Sequence, residues 1–201
     1  MIRQLRPALV LIAIFSVITG LIFPLGLVGV AGLAVPSEAG GGLITRDGKV
    51  IGSALIGQNF TSDRYFHPRP SATMTADPND ATKTIPAPYA ADASAGSNLG
   101  PTSAALVERI DIDVAAWTRQ GGALPVPPDA VTSSGSGLDP DISPATALGQ
   151  VGRVATARAI GPARLRALVE AQIRPPLLGF IGAPHVNVLA LNLALDGLGA
   201  P

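Results

Sequence analysis

The sequence contains no cysteine and only two histidines among its 201 residues. Without cysteine, the chain can form no disulfide, zinc–thiolate site or thiol nucleophile. His67 and His185 lie far apart, and neither has a metal-ligating partner at the usual sequence spacing. We therefore predict no metal site and no catalytic residue, and we expect a chain that is not itself an enzyme.

Charged residues are also scarce, at 14% of the chain, and the formal net charge is zero. A balanced charge gives no electrostatic support for a nucleic-acid partner, so we expect none. The scarcity is uneven, because no charged residue lies between Arg6 and Glu38. The remainder of the chain is polar enough to form a soluble domain.

The uncharged N-terminal run is long enough to cross a bilayer, which takes about 20 apolar residues in a helix. We place a transmembrane helix at residues 7–35, with a possible bend near Pro24. A cleaved signal peptide is the competing interpretation, but its apolar core is usually much shorter than this run. An uncleaved anchor, and hence contact with a membrane, is the better prediction.

The basic residues around this run predict its orientation. Arg3 and Arg6 precede it, and the next basic residue is Arg46. By the positive-inside rule, residues 1–6 are cytoplasmic, and residues 36–201 form a domain on the periplasmic side. The chain is therefore predicted to cross its membrane once, with the domain outside the cytoplasm.

The pattern of residues 36–201 predicts one small α+β domain that follows the single transmembrane helix. An Asp-Gly turn between β-branched segments predicts a β-hairpin over residues 43–56. Residues 71–101 show neither helical nor strand periodicity and predict a long polar loop. Residues 177–181 predict a short buried segment. Helical patterns begin at Thr102 or Ser103, run from Pro144 to about Arg158, and resume at Pro162. Asn187 could cap a last helix ending near Leu195, and a strand at residues 186–189 is the alternative there.

Residues 131–144, VTSSGSGLDPDISP, form a stretch rich in small residues. We expect the second half of the domain to fold around it. Gly135 and Gly137 give the backbone access to positive φ, so several N–H groups could converge on one point. Ser143 is a good N-cap, and Pro144 suits the first helical position. The stretch could cradle an anion or dock on another protein. It lacks the Lys-Ser/Thr pair that follows the glycines of a P-loop.

Charged and amide side chains near this stretch are the other site candidates. Asp139 and Asp141 could meet a cation or an arginine, and Arg153 could pair with either aspartate or stay solvated. Four neutral amides could satisfy buried backbone groups or line an interface; these are Gln58, Asn98, Gln150 and Asn187.

Short motifs spread over nearly the whole chain resemble those of one family, the C subunit of the Kdp-type potassium-transporting ATPase. They are RPA at 6–8, TGLIFP at 19–24, GSALIGQ at 52–58, YFHPRPS at 65–71, GSNLGP at 96–101, the 131–144 stretch, QVGRVA at 150–155 and VNVLALN at 186–192.

This resemblance implies a non-catalytic accessory subunit of a high-affinity, ATP-driven potassium uptake complex in the bacterial inner membrane. Its implied partners are a channel-like potassium-binding subunit, a P-type ATP-hydrolysing subunit and a small membrane subunit. Potassium is the transported ion, and the subunit would stabilise assembly over the potassium-conducting subunit. The interaction candidates are Gln58, Asn98, Asp139, Asp141, Arg153 and Asn187.

The resemblance also carries an alternative role, that of a catalytic chaperone that raises the ATP affinity of the hydrolysing subunit. In that role ATP would contact the 131–144 stretch, and the implied nucleotide contacts are Ser134, Gly135, Ser136, Gly137 and Gln150. A free-standing, membrane-anchored periplasmic enzyme is the alternative from another class, and it would need a nucleophile–base pair.

Overall fold

The computed structural model of the chain describes residues 2–198. These residues form two compact units, one ending at Ile51 and the other beginning at Gly52. Together they contain an apolar N-terminal helix and a small domain of helices and short sheets. The predicted α+β class with a single N-terminal apolar helix is therefore confirmed.

The first unit is dominated by one apolar helix, Leu5–Ala34, which follows a short 3-10 turn at Ile2–Gln4. With a mean hydropathy of 2.6, this helix is long and apolar enough to cross a membrane. It consists of α1 (Leu5–Val17), a π-helical turn (Ile18–Ile22) and α2 (Phe23–Ala34).

The π-helical turn lies immediately before Pro24. The Phe23 N–H donates to the Ile18 carbonyl, five residues back instead of four. Proline has no N–H to continue the regular ladder, so a local rearrangement of the helix is expected beside it. The bend that we predicted near Pro24 remains a prediction, but the irregular turn lies in the same region.

A β-hairpin follows the apolar helix and the single-turn helix α3 (Pro36–Ala39). Its strands are β1 (Leu43–Arg46) and β2 (Lys49–Ser53). Asp47 and Gly48 both have positive φ, at 52° and 74°. Two positive φ values are what a two-residue type I′ turn requires, so the hairpin predicted from Asp-Gly is confirmed.

A second hairpin interrupts the polar loop that we predicted for residues 71–101. It pairs β3 (Met74–Asp77) with β4 (Asp80–Pro86) in antiparallel register, with Thr75 opposite Ile85. The loop prediction is therefore wrong over 74–86. Nearly every residue of the two strands is exposed or half-buried, so these strands carry none of the apolar alternation by which a strand is recognised in a sequence.

Five further helices and one short sheet complete the second unit. The strands β5 (Asp141–Ile142) and β6 (Val186–Asn187) pair in antiparallel fashion. The helices are α4 (Ala104–Arg119), α5 (Pro144–Gly149), α6 (Val151–Arg158), α7 (Pro162–Ala171) and α8 (Val188–Gly197).

Two of the predicted helix starts are confirmed by their caps. The Ser143 hydroxyl accepts the Thr146 N–H at 3.0 Å, and the Asn187 side chain accepts the Ala190 N–H at 3.0 Å. The single helix predicted from Pro144 to about Arg158 is instead two helices, because α5 ends and α6 begins on either side of Gln150.

The hydrophobic core is built by α5 to α8 and by the β5–β6 pair around Phe66, which is fully buried. Helix α4 contributes little to burial, since Trp117 is its one buried residue. The Trp117 indole donates to the Ala123 carbonyl at 2.9 Å and packs against Gly122 and Gly149, where an added methyl group would collide with the ring. The remaining core residues are Ile142, Ala147, Val151, Val154, Ala155, Leu165, Val169, Val186, Val188, Leu191 and Leu195.

Residues 177–181 lie on the surface, so our prediction of a short buried segment is wrong. Leu177, Leu178 and Phe180 are 67%, 76% and 76% exposed. The segment is a tight turn in which the backbones of Leu177 and Ile181 bond to each other. Its apolar side chains therefore point away from the core that their composition suggested.

Candidate functional site

Two carboxamide side chains hold the YFHPRPS segment at residues 65–71. Asn192 on α8 accepts the Phe66 N–H at 2.9 Å and donates to the Phe66 carbonyl at 3.0 Å. Gln150 accepts the His67 N–H at 2.7 Å and donates to the His67 carbonyl at 3.0 Å. Each carboxamide thus satisfies both backbone groups of one residue, as a neighbouring strand would. The segment is consequently fixed on the helical core.

Arg153, on the first turn of α6, joins this arrangement. Its guanidinium donates to the Gln150 side-chain oxygen at 2.6 Å and to the Asp63 carbonyl at 2.9 Å. Its Nη1 also lies 3.7 Å from an Asp63 carboxylate oxygen. The hypothesis that Arg153 pairs with Asp139 or Asp141 is therefore wrong, because its guanidinium binds Gln150 and Asp63 instead. Burial lowers the pKa of Arg153, and the negative charge of Asp63 opposes this shift.

A third attachment of the same segment involves Arg158, Tyr65 and Asp196. Arg158 forms an ion pair with Asp196 at 2.7 Å and lies 4.6 Å from the centre of the Tyr65 ring. The Tyr65 hydroxyl donates to the other Asp196 oxygen at 3.3 Å. Through the cation–π contact, the ion pair and the hydrogen bond, this half-buried cluster connects Tyr65 to α6 and α8. Its members are far apart in sequence, and no local pattern indicated it.

Asp139 forms an ion pair with an arginine, Arg69 of the YFHPRPS segment. The Arg69 guanidinium lies 2.9 Å from the Asp139 carboxylate and also donates to the Thr132 carbonyl at 3.4 Å. The Tyr89 hydroxyl donates to the Arg69 carbonyl at 2.9 Å. Burial and the neighbouring Asp139 charge raise the pKa of Tyr89 far above its usual value, so Tyr89 remains a neutral donor.

The glycine–serine part of the 131–144 stretch forms hydrogen bonds within itself. The Ser134 hydroxyl accepts the Gly137 N–H at 2.9 Å, and the Ser136 hydroxyl accepts the Leu138 N–H at 3.1 Å. Gly137 has the positive φ that we predicted, at 67°, whereas Gly135 is not among the residues with positive φ. At Gly137 and Leu138, therefore, the backbone donors already bind hydroxyls of the stretch itself.

The carbonyl groups of this stretch are bound by neighbouring segments. The Ser136 carbonyl accepts the Ala95 N–H at 2.9 Å, and the Gly137 carbonyl accepts the Ser71 hydroxyl at 2.7 Å. At Gly137 an added Cβ would lie 2.5 Å from the Ala95 carbonyl oxygen. Glycine is therefore required at 137 by both its backbone angle and its close contact.

Asp129 anchors the end of the stretch, and sequence reasoning missed it. One carboxylate oxygen accepts the hydroxyls of Ser143 and Thr146 at 2.8 and 2.7 Å, and the other accepts the Ser143 N–H at 2.7 Å. The carboxylate thus lies at the start of α5, where a negative charge is favoured. Asp129 is 14 residues before Ser143, outside the reach of local capping motifs.

Asp141 pairs with Asn187 across the β5–β6 sheet. The Asn187 side-chain nitrogen donates to Asp141 and to the Ala54 carbonyl, both at 3.1 Å, while its oxygen caps α8. Asn187 and Gln150 therefore satisfy buried backbone groups, as one of the two readings of the amides predicted. Of the other two, Gln58 packs against Gly52, and Asn98 is exposed with a φ of 51°.

Arg69 lines two grooves. One has a volume of about 790 Å³ and is lined by Asp129, Asp139, Asp141 and His185 together with prolines 125, 127 and 128. The other has about 470 Å³ and is lined by His67, Tyr89, Arg109, Asp113, Trp117 and Gln150, among others. Both volumes fall within the range of small-ligand sites. Within residues 2–198, no cluster of three acidic or histidine side chains could hold a metal ion.

Burial changes the acidity of two groups that line the smaller groove. Burial and the positive charge of Arg153 lower the pKa of His67, so its imidazole is neutral at pH 7. Burial raises the pKa of Asp113, and the nearby Arg109 opposes the shift. Among the described residues, Asp113 Oδ2 and Arg109 Nε are buried without a hydrogen-bond partner.

The fold and this site define a class of protein. One candidate membrane-spanning helix precedes a small domain in which hydrogen bonds and ion pairs hold the polar side chains in place. Comparison with known proteins then identifies the family. The family model described as "K+-transporting ATPase, c chain" matches residues 5–197.

Curated relatives match over nearly the full length of the chain. Potassium-transporting ATPase KdpC subunits of Methylobacterium nodulans and Methylorubrum extorquens are each 59% identical to it, over 98% of both sequences. The corresponding subunit of Rhodopseudomonas palustris is 56% identical, again over 98% of both. This chain belongs to the KdpC family of potassium-transporting ATPase subunits.

Proposed function

We propose that this chain is the non-catalytic accessory subunit of an ATP-driven potassium uptake complex, and that it stabilises assembly by docking on the potassium-conducting subunit. One observation carries the docking role. The polar groups of the site are bound to one another, as Arg69 with Asp139 and Gln150 with His67 illustrate. Side chains fixed in this way form a rigid surface, and a rigid surface loses little entropy when a partner binds.

The predicted orientation supports a docking role on the outer side of the membrane. Arg3 and Arg6 flank the N-terminal end of the apolar helix, which favours a cytoplasmic N-terminus and a periplasmic domain. The surface around residues 131–144 would then face the compartment from which potassium is taken up. The partners would be a channel-like potassium-binding subunit, a P-type ATP-hydrolysing subunit and a small membrane subunit.

Nucleotide binding by residues 134–137 is the alternative function within the same family. Two backbone donors that a phosphate would need, those of Gly137 and Leu138, already bind serine hydroxyls. Gln150 uses both ends of its carboxamide on His67. In the predicted orientation these residues also lie across the membrane from cytoplasmic ATP. These three points favour docking over a role as an ATP-binding chaperone.

The test combines recovery of the complex with potassium uptake. A C-terminally tagged chain is purified from its native membrane in mild detergent, and the accompanying proteins are identified by mass spectrometry. The double variant Asp139→Asn, Asp141→Asn removes the two carboxylate charges of the 131–144 stretch. The matched control, Asp92→Asn with Asp111→Asn, removes two exposed carboxylates elsewhere.

We expect the unmodified chain and the control to recover a P-type ATPase and a channel-like subunit. We expect the site variant to recover less of both, or to weaken the apparent potassium affinity by at least about threefold, which corresponds to roughly 0.7 kcal/mol. A chain that purifies alone under conditions that preserve other complexes would refute the accessory role. Photolabelling of residues 134–137 by an ATP analogue, with the C-terminal tag protected from external protease, would favour the nucleotide alternative.

A further inference from the structure

The most exposed apolar feature of the domain is a ten-residue segment, residues 175–184, which we name the apolar finger. Its sequence, PPLLGFIGAP, contains no polar side chain. Leu177, Leu178 and Phe180 are at least two-thirds exposed, and Ile181 is 49% exposed. Four large apolar side chains on one short turn are a contiguous patch of the kind that marks an interaction surface.

The backbone of the apolar finger is closed by its own hydrogen bonds. The N–H groups of Leu177 and Ile181 each donate to the other residue's carbonyl, at 3.0 and 2.9 Å. The N–H groups of Gly179 and Phe180 donate to the carbonyls of Pro176 and Leu177. Prolines 175, 176 and 184 have no N–H to satisfy. Four of the seven backbone N–H groups of the finger are therefore hydrogen-bonded within it.

This combination fits lipid better than protein. A protein interface supplies about one hydrogen bond per 100–200 Å² and surrounds its apolar centre with a polar rim. The finger offers no polar side chain for such bonds. The bilayer interface, in contrast, accepts an exposed apolar face without requiring polar side chains from it.

The base of the finger suits the lipid headgroup region. Arg174 is exposed and is joined to His185 by two backbone hydrogen bonds, at 2.8 and 3.1 Å. An arginine beside an apolar turn can bind lipid phosphate while the turn enters the acyl region. The base thus places a positive charge next to the apolar tip.

A bilayer is also within reach of the domain. The apolar helix ends at Ala34, and residues 35–51 connect it to the second unit. A connection of this length spans at most about 60 Å when fully extended, so the domain stays at high effective concentration near the membrane surface.

We infer that the apolar finger inserts into the outer lipid interface and gives the domain a second attachment to the membrane. The inference rests on the membrane anchoring contained in the proposed function. Leu177, Leu178, Phe180 and Ile181 would lie at the level of the upper acyl chains, and Arg174 would lie at the headgroups.

Because the chain contains no cysteine, one introduced cysteine can be labelled specifically. Phe180→Cys carries a single nitroxide label in the full-length chain, reconstituted in vesicles of phosphatidylethanolamine and phosphatidylglycerol. The matched control is Ile112→Cys on α4, another exposed apolar position, at 59% exposure. Collision of each label with oxygen, which partitions into lipid, is compared with collision with a water-soluble nickel chelate. Trp117 fluorescence checks that both variants fold.

We expect the ratio of oxygen to nickel accessibility at position 180 to be several-fold higher than at position 112. Equal ratios at the two positions would overturn the inference. A label that is accessible to nickel in the chain alone, and becomes shielded from both reagents when the other subunits are added, would also overturn it, because a protein would then cover the finger.

Co-purification of the ATPase subunits with the same Phe180→Cys chain separates this inference from the proposed function. An intact complex with a water-exposed finger refutes lipid insertion and leaves the accessory role standing. A lipid-embedded finger in a chain that recovers no other subunit refutes the accessory role and supports the insertion.

Discussion

Replacing Asn192 with leucine tests whether carboxamide pairing holds the YFHPRPS segment in place. Asn192 is 2% exposed, and its side chain satisfies both backbone groups of Phe66, which is fully buried. Leucine has the same number of side-chain heavy atoms and the same branching at Cγ, but it can neither donate nor accept. The variant therefore leaves the Phe66 N–H and carbonyl buried without partners.

The expected cost follows from these two lost contacts. An unsatisfied buried backbone group costs about 1–3 kcal/mol, so two such groups cost roughly 2–6 kcal/mol. The additional apolar burial of leucine offsets about 1 kcal/mol of this loss. We expect the free energy of unfolding to fall by about 1–5 kcal/mol, and the Tm to fall by about 2–20 °C at roughly 2–4 °C per kcal/mol for a domain of this size.

The assay is urea denaturation of the full-length chain in detergent, followed by tryptophan fluorescence. Trp117 is the single tryptophan of the chain and is 8% exposed, so its emission reports on the domain and not on the apolar helix. The control is Gln120→Leu, which changes the same chemical group at an exposed position, where effects are within about 0.5 kcal/mol. Loss of stability no larger than in the control would refute the reasoning.

Two further predictions follow from the buried titratable groups of the smaller groove. Because the pKa of His67 is lowered in the folded chain, the unfolded chain binds more protons below about pH 6.5, and we expect stability to fall as the pH drops from 7 towards 5. His67→Gln should make the urea midpoint depend less on pH. If the slope of the midpoint against pH is unchanged, other groups cause the dependence. Because burial raises the pKa of Asp113, ionisation at neutral pH opposes folding, and Asp113→Asn should raise stability at pH 7. The gain should be smaller at pH 4, and a loss of stability at pH 7 would show that the carboxylate has a stabilising partner.

Several elements of the fold could be predicted because their causes are local. The apolar helix is indicated by a continuous uncharged run, and the first hairpin by Asp47-Gly48, whose positive φ values a type I′ turn needs. Ser143 and Asn187 were recognisable as helix caps because each binds an N–H three residues ahead. Gly137 was recognisable as a site of positive φ.

The second hairpin and the apolar finger show where such local reasoning failed. The strands of residues 74–86 are mostly exposed and carry no apolar alternation, so their composition resembled that of a loop. Residues 177–181 have the composition of a buried segment, yet the turn closed between Leu177 and Ile181 directs them to the surface.

The sequence by itself determined the apolar span, the first hairpin, the helix caps and the residue types available to the site. Only the tertiary structure decided how those residues pair: Arg69 with Asp139, Gln150 with His67, and Asn192 with Phe66. Partners in these pairs are separated by 70 to 126 residues. A cap or a turn is set by steric and hydrogen-bonding preferences within four residues, whereas a contact over such distances exists only because the packed core brings two distant segments together.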